Sequence, residues 1–127
     1  MLPNLEVGAF VKASYKSGEY IGELLEIRET KAVVKILAVL QHPIQGDLHH
    51  PFEAEVPFFH QRKALSYQEK ALITFRDIVK YELPIPDYES SLSQAIEDQL
   101  TWYNQKNDNW ARKAIAALEE VRKEYYS

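Results

Sequence analysis

The hydrophobic period of this chain changes once, from two to 3.6, and the change falls at Leu83-Pro84-Ile85-Pro86. A chain with that single switch is confined to a β unit followed by a helical one. Upstream, Val7, Ala9, Val11, Ala13 and Tyr15 alternate with Lys12 and Ser14, which predicts a half-buried strand, and Lys16-Ser17-Gly18-Glu19 supplies the turn after it. Tyr20 to Arg28 reads as a second strand, Glu29-Thr30-Lys31 as a turn, and Ala32 to Leu40 as a third strand rich in β-branched residues.

The alternation breaks from Gln41 to Pro51, where Pro43, Gly46 and Pro51 predict a loop excursion. Phe52 to Phe59 then predicts a strand, with Phe52, Ala54 and Val56 alternating against Glu53 and Glu55 and with Pro57 setting its end at an edge or bulge. Lys63 to Ile73 reads as two short strands around a polar turn. Thr74-Phe75-Arg76-Asp77 is a brief turn before a last strand, Ile78 to Tyr81. Short strands joined by meander-length turns point to a small barrel, and the ending resembles the last hairpin, helical turn and final strand of SH3-like barrels.

Beyond Pro86, Leu92, Ala95, Ile96, Leu100, Trp102 and Tyr103 share one helical arc, opposite Gln94, Glu97, Asp98, Thr101 and Gln105. Asp87 or Ser90 caps the start. Residues 104–109 favour turns, and Asp108 is the expected cap of a second helix that buries Trp110, Ala111, Ala114, Ile115, Ala117, Leu118, Val121 and Tyr125. The fold class is therefore α+β and mainly β: a small SH3-like barrel over 1–83, a proline-rich connector over 84–86, and a helical hairpin over 87–127 packed on the barrel. A hairpin of this size holds no core alone, so residues 1–127 are expected to form one domain with Trp110 as the anchor.

No arrangement of residues suggests catalysis. The serines include none in a G-x-S-x-G elbow, the four glycines form no phosphate-cradling loop, and the pairs Glu53 with Glu55 and Glu97 with Asp98 read as solvated faces. Without cysteine there is no disulfide, thiolate metal site or thioether lipid. His42, His49 and His50 share the excursion with Asp47 alone as a nearby acid, which predicts an exposed loop without metal rather than a ligand set. No cofactor is expected. Net charge is −4, with no clustered basic field, so nucleic acid is not expected as a partner. No apolar run reaches the length of a spanning helix and the first residues lack export features, which predicts a cytoplasmic protein. Aromatic residues at helix edges suit protein interfaces, and Trp102 sits at the edge of its arc. The candidate partner-binding residues are His42, Asp47, His49, His50 and Trp102.

Val11-Lys12-Ala13-Ser14-Tyr15-Lys16-Ser17-Gly18-Glu19-Tyr20-Ile21-Gly22-Glu23, His42-Pro43, Gln45-Gly46-Asp47-Leu48, Phe58-Phe59-His60-Gln61-Arg62-Lys63-Ala64-Leu65 and the closing helical pair resemble the kinase-associated protein B family of spore-forming bacilli. The resemblance runs the full length. It implies a non-enzymatic accessory factor of a sensor histidine kinase, acting on the phosphorelay that leads to sporulation and held near the inner face of the membrane through that kinase. Members have been called lipoproteins, from which this cysteine-free chain departs. It carries over no functional residues. The alternative is a nucleic-acid-binding SH3-like barrel.

Overall fold

The computed structural model describes residues 5–126. Five strands, β1 (Phe10–Tyr15), β2 (Gly18–Ile27), β3 (Lys31–Gln41), β4 (Lys70–Thr74) and β5 (Ile78–Lys80), form one antiparallel sheet in the order β4-β3-β2-β1-β5, with a 3-10 turn, Phe75–Asp77, between the last two. That is an SH3-like strand order. Two helices follow, α1 (Tyr88–Lys106) and α2 (Asn109–Tyr125).

The long β2–β3 pairing shifts register three times, at Glu19/Tyr20, Ile21/Gly22 and Leu24/Glu26, and each irregularity bends the sheet. Gly22 marks one of these crossings. A Cβ there would meet Val34 Cγ1 and lie 2.6 Å from the Lys35 carbonyl oxygen, so backbone would have to move. Gly22→Ala is expected to cost about 1 to 3 kcal/mol through this overpacking. An unchanged urea midpoint in that variant would contradict the close approach.

β4 pairs with β3 over Lys31 to Lys35, and Ile36 exchanges two further backbone hydrogen bonds with Gln68 and Glu69, which leaves β3 beyond Ile36 with an open edge. Helix α1 covers it. The Val39 N–H donates to Ser91 Oγ at 3.0 Å, and Gln99 Nε2 donates to the His42 carbonyl just past the strand, so side chains of the helix replace ladder partners. The caps follow the sequence. Asp87 accepts from the Ser90 N–H and Asp108 from the Ala111 N–H, while Asn107 makes the left-handed link between the helices.

One buried cluster takes in Val11, Leu24, Val34 and Ile36 from the sheet and Leu92, Ile96, Tyr103, Trp110 and Leu118 from the helices. Two predicted strands do not form. Phe52 to Phe59 has the right alternation, but the segment lies against the helices instead of a strand: the Phe52 ring is 5.0 Å from that of Trp110, and Lys113 Nζ donates to the Ala54 carbonyl. Of the two strands expected between Lys63 and Ile73 only β4 forms. The Leu65 N–H and C=O instead meet the hydroxyls of Tyr20 and Tyr88, so its backbone is satisfied without a strand partner.

Candidate functional site

The excursion between β3 and β4 crosses the helices, and a buried set of polar side chains fixes it there. Gln45 donates through Nε2 to the carbonyls of Pro43 and Arg62 and accepts at Oε1 from the Arg62 N–H, so it holds both limbs of the loop. The Tyr103 hydroxyl accepts from the Gln45 N–H and donates to Gln99 Oε1. Tyr125 accepts from the Ala64 N–H at 2.7 Å. Burial raises the hydroxyls of Tyr20, Tyr103 and Tyr125 further, to about 12.

His42 belongs to this set, which corrects its placement in an exposed loop. Its side chain is wholly buried, with Nδ1 2.9 Å from the Pro43 carbonyl and Nε2 2.9 Å from the Tyr125 hydroxyl. A carbonyl only accepts, so Nδ1 carries the proton and Nε2 accepts from Tyr125. Burial pushes the imidazole down to about 4, against the weaker opposing pull of the Pro43 carbonyl. The ring is thus neutral at pH 7. In this structure the His42 ring lies inside the molecule and ties Pro43 to Tyr125.

The other two histidines of the loop do lie outside. Asp47 is half-buried, His49 and His50 are exposed, and Asp47 accepts from the His49 N–H at 2.9 Å and from His50 Nδ1 at 3.0 Å. The hydrogen bond from His50 holds the Asp47 carboxyl below its usual value, and Asp47 in turn raises His50. Among the described residues no three His, Asp or Glu side chains converge as metal ligands would.

Trp102 is 38% exposed and completes an aromatic group with Phe52, Tyr103 and Trp110, at centroid separations of 6.3, 5.3 and 5.8 Å. Its free side lines a groove of about 420 Å³ between α1 and the end of β3, whose walls include Leu40, Ile44, Ala95 and Asp98. The structure therefore separates the sequence candidates. Asp47, His49 and His50 sit at a loop tip, Trp102 lines a groove, and His42 lies inside. Leu40, Ile44 and Asp98 were missed because a strand end, a loop and a polar helix face give no common periodic signal. Gln99 could have been found, since it falls three residues after Ile96 and four before Tyr103 on the apolar arc.

Comparison with known proteins places this geometry in context. Residues 15–126 match the family model described as kinase associated protein B. A Bacillus subtilis (strain 168) protein named kinase-associated lipoprotein B is 42% identical over 126 residues, covering 99% of this chain and 98% of that protein. The crystal structure of kinase-associated protein B from Bacillus cereus aligns with a TM-score of 0.82 at 33% identity, over 98% of this chain and 100% of that one.

Proposed function

Because the chain belongs to the kinase-associated protein B family, we propose that it is a non-enzymatic accessory protein that binds a sensor histidine kinase and supports the phosphorelay leading to sporulation. The observation that carries this reading is the Trp102 groove. An apolar cleft walled by Leu40, Ile44 and a half-exposed tryptophan has the composition of an interface anchor, and it lies on the loop-facing side of α1. The exposed loop tip with Asp47, His49 and His50 offers polar groups to a partner as well.

No described helix is long and apolar enough to cross a membrane, and none of the 127 residues is a cysteine that could carry a thioether lipid. We propose a cytoplasmic location, with the protein brought to the inner face of the membrane by its kinase. The test is co-purification from host membranes with identification of the retained proteins. A sensor kinase should be recovered with the unaltered chain, and Leu40→Glu and Trp102→Ala should each weaken that association at least about tenfold, as expected of interface anchors. Leu40→Glu, on an exposed strand end, should keep the melting temperature. Failure to recover a kinase, together with normal sporulation of a deletion strain, would overturn the reading. Steeply salt-dependent binding of DNA or RNA would favour the nucleic-acid alternative instead.

A further inference from the structure

We propose that a second pocket, between the β1–β2 turn and residues 61–65, binds the oxyanion of a phosphomonoester. The cavity measures about 340 Å³, and its walls include Tyr15, Lys16, Arg62, Lys63, Leu65 and Glu69. Three basic residues and one acidic residue line it, in a protein whose net charge is −4. None of the three is ion-paired among the described residues. The two lysine ammonium groups lie over tyrosine rings instead, Lys16 at 5.3 Å from Tyr15 and Lys63 at 5.6 Å from Tyr125. Glu69 is engaged by its own turn, accepting from the Ser66 N–H at 2.8 Å.

Arg62 gives the pocket its direction. Its backbone N–H and carbonyl are both held by the buried Gln45 side chain, so the residue is fixed in place without using its guanidinium. Yet Nε is buried and has no hydrogen-bond partner among the described residues. The Arg62 guanidinium lines the pocket without an ion-pair partner among the described residues, and a guanidinium fork fits the paired oxygens of phosphate. Charge decides between oxyanions. Lys16, Arg62 and Lys63 against Glu69 leave a surplus of two positive charges, which matches the nearly −2 charge of a phosphomonoester at pH 7 better than the single charge of a carboxylate. Tyr15 and Leu65 offer an apolar wall for whatever carries the phosphate. This site is separate from the Trp102 groove and stands whether or not a kinase binds there.

The test is a titration of the full chain, followed by amide NMR, with phenyl phosphate, with benzoate as the monoanionic control, and with sodium chloride at matched ionic strength. Phenyl phosphate should shift residues 15–17 and 61–65 selectively and bind at least about tenfold more tightly than benzoate. Arg62→Gln should abolish the selective shifts without lowering the melting temperature, because Gln45 contacts only the Arg62 backbone. Lys35→Gln, which removes a lysine paired elsewhere with Glu23, should leave the titration as it was. A peptide bearing one phosphoserine, compared with its unphosphorylated twin, separates the sources. Tighter binding than phenyl phosphate would assign the phosphate to a protein, and equal or weaker binding would assign it to a small molecule; both outcomes support the site. Shifts reproduced by chloride, or unchanged in Arg62→Gln, would overturn it.

Discussion

Trp110→Ala is expected to lower stability by about 3 to 5 kcal/mol, the range for removing a large buried aromatic side chain. The ring is only 3% exposed, and it meets three other rings edge-on, those of Phe52, Tyr103 and Trp102, at 5.0, 5.4 and 5.8 Å. A methyl group at Gly46 would come within 3.3 Å of its Nε1, so the ring also supports the loop. Its loss would leave a cavity where helix, helix and loop meet. We propose on this ground that sheet and helices unfold as one cooperative unit. Urea unfolding followed by far-ultraviolet and near-ultraviolet circular dichroism should then give coincident transitions, shifted together in the variant. A chain ending at Pro86 should aggregate or lose its transition, since the apolar face of the sheet that covers Leu92, Ile96 and Leu118 would be open to water. A loss below about 1 kcal/mol in Trp110→Ala, or an unchanged melting temperature for residues 1–86, would refute the joint unit.

The second large effect is a loss of stability on acidification that runs through His42. The free imidazole titrates at 6.5 and the folded one at about 4, so between these values the unfolded chain binds a proton that the folded chain refuses. The contribution is fully present above pH 6.5, falls as pH drops, and is gone below about 4. Over that window the shift corresponds to about 3 kcal/mol. Asp47 and Asp108, whose carboxyls are held below 3.8 by His50 and by the Ala111 N–H respectively, lose their contributions at lower pH and so do not mask it. His50 has the opposite sign, because Asp47 raises it, and lies at the surface. The urea midpoint should therefore decline from pH 7 to 4.5 in the unaltered protein and in His49→Ala/His50→Ala, which should differ by less than about 1 kcal/mol at pH 7. In His42→Gln the decline should flatten. His42→Ala should cost about 1 to 3 kcal/mol at pH 7 by leaving the Tyr125 hydroxyl without its acceptor. A pH dependence identical in His42→Gln and the unaltered protein would remove His42 as its source.

The residues alone determined the first three strands, the last one and the two helices in their order. The period switch at residues 83–86, the caps at Asp87 and Asp108, the turn at Lys16-Ser17 and the β-branched run in β3 all act within a few positions of themselves, and local geometry repeats wherever those residue types occur. The same locality explains the errors. Phe52 to Phe59 alternates like a strand, but alternation does not say what the segment lies against, and here it meets the helices and stays partly exposed rather than pairing with a neighbouring strand. Only the tertiary structure decided which loop residues face inward. His42 and His50 look alike in the sequence, yet one meets a tyrosine 83 residues away and the other an aspartate three residues away. The groove of Trp102 and the pocket of Arg62 were likewise set by chain segments meeting across the fold, because burial and hydrogen-bond partners belong to pairs of distant positions and no single stretch of sequence contains both members.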